Sequence, residues 1–205
     1  MLWSGAMEPT TGPHPALARS PAPGGAARER RWSSRVVPQG GSRYALFLTG
    51  SLHAGWAGRL AAGLAARHVS VVRAAARRTD TLWTAEIEFD VLEAGVEPSA
   101  VDFIALMLDA VPDRSAPDPR IASFHLSRGA RDVAVELRAR DEVGFLSGTL
   151  RVFAFFGLFP HSLRVDTVGG EVRDLFRLQG LSGQVPPAGV VAALERRLAG
   201  MVEPA

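Results

Sequence analysis

From Val133 to Leu178 the chain passes through an alternating segment, a glycine-containing bend, an apolar helical segment and a hairpin without interruption, an order that few folds accept. Val133, Val135, Leu137 and Ala139 alternate with Asp132, Glu136, Arg138 and Arg140 in the period-two pattern of a strand with one buried face. The bend Asp141-Glu142-Val143-Gly144 follows. Beyond it, starting from Phe145, the positions Leu146, Leu150, Phe153 and Phe156 or Gly157 fall on one helical stripe, which Pro160 is expected to close. His161–Val168 and Glu171–Leu178 then read as strands around Gly169-Gly170, a pair able to take the positive φ angles of a tight turn. The whole is a β-α-β-β half-domain.

The same grammar occurs once before. Tyr44–Thr49 reads as a strand, Gly50–Gly55 as a bend, Trp56–Arg67 as an Ala-rich helix, and Val69–Arg78 with Leu82–Val91 as a hairpin around Asp80-Thr81. An offset of 89 residues places Gly55 on Gly144, His68 on Gly157, Asp80-Thr81 on Gly169-Gly170 and Phe89 on Leu178 without a gap. Few letters match; the shared order and spacing indicate a tandem repeat.

A helix is expected from Pro98-Ser99, with Ser99 as its N-cap and Val101, Ile104, Ala105 and Leu108 buried. Ile121–Leu126 is then expected to be the strand that completes a first β-α-β-β-α-β unit. The second unit ends in a helix, Ala188–Leu198, and lacks that last strand. Its open edge is expected to be covered by the other repeat, by Trp32–Val37 or by another chain. The predicted fold class is therefore α+β: two ferredoxin-like sandwiches in tandem, over 42–128 and 129–205, after a disordered Arg-, Pro- and Gly-rich tail at 1–41. The tail lacks apolar periodicity and cannot offset its ordering entropy by burial. A start site placed too far upstream is a second explanation, and an Arg-rich transit peptide or anion-binding arm a third. A secretory signal is excluded because no apolar core follows a basic start.

Composition narrows the function further. Formal net charge is only +2, and all 23 basic residues are Arg, so the sequence pI of 10.2 reflects Arg's high pKa more than an excess of charge. Nucleic acid is not an expected partner. Without Cys there is no thiolate metal site or thiol nucleophile, and without Lys no P-loop lysine or Schiff base. The longest apolar stretch, Phe145–Pro160, contains Arg151 and is shorter than the roughly 20 residues of a bilayer span. A cytoplasmic protein without a membrane partner is the expectation.

The segments 133–150, 157–158 and 165–176 resemble an ACT domain, most closely the carboxy-terminal ACT modules of bacterial glutamine-sensing uridylyltransferases. That family's motif is a strand, an Asp-Arg-Pro-Gly-Leu-Leu type bend, a helix ending in Gly-Leu and a hairpin ending in Asp-Val-Phe. Asp141, Gly144, Gly157, Leu158, Asp174 and Phe176 match it; Val143 replaces the proline and Phe145 the following leucine. The resemblance implies a regulatory, allosteric module that binds a small amino acid and works as a dimer, another homo-oligomer or a controller of a protein partner.

In such a sandwich the usable surface lies where the first strand turns into the first helix, because unpaired amides there favour a carboxylate and glycine permits close approach. The resemblance places a site on Asp141, Val143, Gly144, Phe145 and Leu146, facing His161 and Ser162 at the next strand's start. Asp141 would take the ligand's ammonium, and the Gly144 and Phe145 amides its carboxylate. Gly55 and Trp56 are the first repeat's counterparts, where Leu52 in the Asp141 position cannot pair with an ammonium. A ligand-free scaffold or dimerisation protein, with both bends serving only as turns, is the competing reading.

Catalysis is not expected. His161, Ser162 and Asp166 share one strand whose alternation separates neighbours, and the five His residues show no metal-ligand spacing. No cofactor is implied. Arg151–Phe156 resembles an aromatic RNA-binding strand only superficially, since its aromatics sit at helical spacing.

Overall fold

A computed structural model describes residues 32–93, 97–109 and 118–203. In chain order these form β1 (Trp32–Gly40), β2 (Arg43–Gly50), α1 (Trp56–Ala65), β3 (Val69–Thr79), β4 (Leu82–Val91), a 3₁₀ turn (Pro98–Ala100), α2 (Phe103–Asp109), β5 (Ser123–Arg128), β6 (Val133–Arg140), α3 (Phe145–Phe155), β7 (Leu158–Val168), β8 (Glu171–Gly180) and α4 (Ala188–Ala199). The strands make one antiparallel sheet in the order β1-β2-β4-β3-β7-β8-β6-β5. Two ferredoxin-like halves thus lie side by side, the second running through its strands in reverse, and they meet where β3 pairs with β7.

The repeat holds at the level of backbone torsions. Gly55 and Gly144 precede their helices with φ of 86° and 91°. His68 and Gly157, which end the same helices, have φ of 52° and 68°, and the turn residues Asp80 and Gly169 have 54° and 61°. Each of these pairs is separated by the same 89 positions. A left-handed backbone at His68 and Asp80 carries a cost that glycine avoids at the matching sites.

The fourth strand of each half departs from expectation. Ser123–Arg128 does not complete the first half; β5 pairs along its length with β6 of the second, Phe124 opposite Leu137 and Leu126 opposite Val135. The reason is loop length, because only residues 129–132 separate β5 from β6, which is enough for a hairpin and too short for a crossover. The outer edge of the first half is filled by β1, so residues 32–40 of the segment expected to be a tail form a strand against β2. The remainder of that segment lies outside the described residues. Each half is therefore β-β-α-β-β-α, with the edge strand supplied before the first strand rather than after the last helix.

Three local expectations also change. Asp102, not Ser99, caps α2: its Oδ1 accepts from the Ala105 amide at 2.9 Å, and the helix starts at Phe103. Ser99 belongs to the 3₁₀ turn, where Glu97 accepts from its amide. Helix α3 ends at Phe155, with Gly157 at positive φ turning the chain into β7, rather than at Pro160, which lies inside β7 beside a register shift between Pro160 and Ser162. A bulge removes the ladder bond that proline cannot donate.

The core occupies one face of the sheet. Leu46, Leu48, Ala85, Ile87, Ala74 and Ala76 in the first half and Leu163, Val165, Phe176, Leu178, Val133 and Val135 in the second are buried in one continuous cluster with Leu60, Leu64, Leu150, Phe153 and Leu194 of the helices. Trp56 meets Trp83 edge to face at 5.3 Å, and Phe153 meets Phe176 likewise at 5.1 Å. The opposite face carries charge: Arg73 at the joint reaches Asp166 at 3.4 Å and Glu88 at 3.6 Å. No helix among the described residues is long and apolar enough to cross a membrane.

Candidate functional site

The joint between the halves leaves a cleft under the start of α3. It is lined by the bend Asp141–Ser147, by Val165, Thr167, Val172 and Asp174 of the second half, and by Ala61, Ala65 and Val69–Val71 of the first. The space in which a water-sized sphere can be centred is about 30 Å³, room for about two waters. Two stretches far apart in the chain come together because α1 packs against α3, with Leu150 3.5 Å from where a Cβ on Gly58 would lie.

The bend is held by the sheet. The Asp141 amide donates to the Gly170 carbonyl in the β7–β8 turn at 2.9 Å, and the Phe145 amide donates to the Glu142 carbonyl at 3.0 Å. Phe145 therefore cannot offer its N–H to a ligand, contrary to the expectation from the resemblance. No side chain caps α3, and the Leu146 and Ser147 amides have no acceptor among the described residues, so they are the donors at this end.

Carboxylates share the lining with those donors. Asp141 and Glu142 come from the bend, Asp174 from β8, and no basic side chain lines the cleft. Burial holds the Asp141 carboxyl above its ordinary range. Asp174 is only 3% exposed, and neither of its oxygens has a hydrogen-bond partner among the described residues. Burial pushes its carboxyl up to about 7; the nearby backbone N–H of Asp166 opposes this, and the charges of Asp141 and Asp166 add smaller contributions to the rise. The Thr167 hydroxyl, in the same lining, also lacks a partner.

Of the residues expected at the site, Asp141, Val143, Gly144, Phe145 and Leu146 line the cleft, whereas His161 and Ser162 do not. The strand start that faces the bend is Val69–Val71 of the other half. His161 instead reaches Asp132 at 3.0 Å, and Arg177 reaches the same carboxylate at 3.2 Å. Ser162 lies opposite Arg77 and Arg177 in the sheet. Gly55 and Trp56 belong to the equivalent place under α1, which is filled: a Cβ on Gly55 would lie 3.6 Å from the Phe159 ring, Leu52 is buried, and the Trp56 ring packs on Trp83. Phe159 stands 89 positions after Ser70. A ring thus occupies one pseudo-symmetric site while a hydroxymethyl leaves the other open.

Ser70, Thr167 and Asp174 escaped the sequence reading of the site. Only Asp174 carried a signal, as a carboxylate on the inward face of the alternation Val172-Asp174-Phe176-Leu178. No group of three or more His, Cys, Asp or Glu able to hold a metal ion occurs among the described residues.

No protein-family model matches the sequence. Among solved structures the chain is similar to aspartate kinase from Synechocystis, at 12% identity and a TM-score of 0.46 over 78% of this chain. The match spans 26% of that enzyme's chain.

Proposed function

We propose that the chain is a non-catalytic regulatory module of the ACT type, binding one small amino acid at the joint between its halves and passing the bound state on through the way the halves, or a partner, pair. The observation that supports this most is the cleft's lining: carboxylates and the uncapped first turn of α3 meet in one small space, complementary to the two charges of a zwitterion. Its small size favours a compact side chain. Both halves contribute to the lining, so a ligand that stabilises the cleft also favours the closed joint.

A panel of common amino acids in thermal unfolding tests the proposal. A ligand at a hundred times its dissociation constant adds about 2.7 kcal/mol, which for a chain of this size raises Tm by roughly 5–10 °C. One or a few small amino acids are expected to do so, and Asp141→Ala, at the rim of the cleft, to reduce the shift. A second reading, a ligand-free scaffold or dimerisation protein, is favoured by the filled first bend, where Phe159 and Leu52 take the place of any ligand. A flat panel, with Asp141→Ala leaving the oligomeric state unchanged, would decide for that reading.

A further inference from the structure

The buried carboxyl of Asp174 is a group that neither the fold nor the packing requires. Its neighbours along β8 on the same face, Val172 and Phe176, are apolar, and so is Leu137 opposite it on β6. An aliphatic residue there would complete the core, whereas Asp174 leaves two oxygens without partners among the described residues, in the lining of the cleft. A buried polar atom without a partner carries a desolvation penalty that a bound donor would remove.

We infer that Asp174 is the seat of a ligand ammonium group, and that an amine entering the cleft displaces a proton from this carboxyl to solvent. The inference deepens the reading given under Proposed function, since it assigns the cation-binding role to Asp174 at the floor of the cleft in place of Asp141 at its rim. The titratable groups that face or flank Asp174 are Asp141 and Glu142 from the bend and Asp166 from β7, all acidic. Helices α1 and α3 and strand β3 bring only non-titrating side chains to the cleft, Ala61, Ala65, Phe145, Val69 and Ser70 among them. With no internal cation to neutralise it, the carboxyl holds its proton until a positive charge arrives. The exchange balances as one proton released and one ammonium bound, with the Thr167 hydroxyl available to accept from the same ammonium.

Calorimetric titration in two buffers of different ionisation enthalpy counts the protons released. The probes are glycine, alanine, serine and methylammonium, against the wild type and Asp174→Asn, with ¹³C-carboxyl-labelled aspartate to follow Asp174 directly by NMR. At pH 6 release of close to one proton per ligand is expected, falling toward zero at pH 8.5. Affinity should weaken about tenfold per pH unit below about 7. Asp174→Asn should lose the proton release and at least tenfold in affinity. Amino-acid binding without proton release, or with release unchanged in Asp174→Asn, overturns the inference and leaves amino-acid binding standing. Methylammonium binding with proton release while no amino acid binds has the opposite meaning. No binding by any probe overturns both. The NMR titration of unliganded protein guards against a misfolded variant: an Asp174 carboxyl that titrates near 4 in the wild type also overturns the inference.

Discussion

Asp174 makes the link between site and stability measurable at a single atom group. Its carboxyl titrates at about 7 in the folded chain and near 3.8 when unfolded. Between those values the folded state binds a proton that the unfolded state does not, so stability is highest below about pH 4, falls as pH rises, and levels off above about pH 7. The full span of such a shift is on the order of 4 kcal/mol. Asp174→Asn removes the charge and this slope with it. In urea unfolding the variant should gain on the wild type by roughly 2–4 kcal/mol between pH 4 and pH 8. The change with pH is the test, because the buried amide of asparagine has a pH-independent cost of its own. An equal gap at both pH values would mean that Asp174 is ionised in the folded chain throughout. At this scale the sequence was legible only in part. Asp141 and Gly144 could be placed because a strand–bend–helix junction puts its amides in one spot. Ser70 could not, since its role depends on which strand start of the other half faces the bend.

The helices and strands themselves were largely readable, because local periodicity and turn residues act over a few positions. Helix α3 was expected from Phe145 and found there, and the β3–β4 and β7–β8 hairpins turn where Asp80-Thr81 and Gly169-Gly170 predict. Pairing was less legible. Alternation shows that Ile121–Leu126 can be a strand but not which neighbour it takes, and the short 129–132 connection outweighed analogy to a complete sandwich. The two bends offer a test at this scale. Phe159→Ser should open the space under α1 without creating an amine site, because neither Leu52 nor Ala85, the counterparts of Asp141 and Asp174, supplies a carboxylate there. Adding Ala85→Asp should supply one at the position that matches Asp174. By the proposed function, calorimetric stoichiometry should stay at one ligand per chain in the single variant and approach two in the double variant. Loss of the half-buried ring should cost about 1–3 kcal/mol, visible as a lower urea midpoint. Two sites in the single variant would show that the carboxylate is dispensable.

The joint gives the molecule its most consequential property, since the cleft exists only while the two halves are aligned. It rests on five register pairs between β3 and β7, from Arg73–Asp166 to Arg77–Ser162, and on the close approach of α1 and α3. That the repeats could lie side by side was legible, but not which strands meet: β3 and β7 read as ordinary strands, and the small residues Ala74 and Ala76 gave no sign that they face Val165 and Leu163 across the joint. The exposed Arg73–Asp166 pair adds little, because surface ion pairs are typically worth 0–1 kcal/mol. The helix contact is the stronger lever, and Gly58 is its fulcrum. A Cβ there would meet Leu150 at 3.5 Å, an ordinary contact, so Gly58→Ala should raise stability by up to about 1 kcal/mol through helix propensity alone. Gly58→Leu places a branched side chain against the buried Leu150 and should push the helices apart at a cost of about 1–3 kcal/mol. Hydrogen exchange distinguishes a local wedge from an opened joint. If the halves are coupled as proposed, Gly58→Leu should lower protection at the Ala74–Ala76 and Leu163–Val165 amides far more than at Val133–Leu137 in the interior of the second half. It should also weaken ligand binding, although Gly58 does not line the cleft. Uniform loss of protection would show that the halves unfold as one unit and that the joint has no independent opening for a ligand to control.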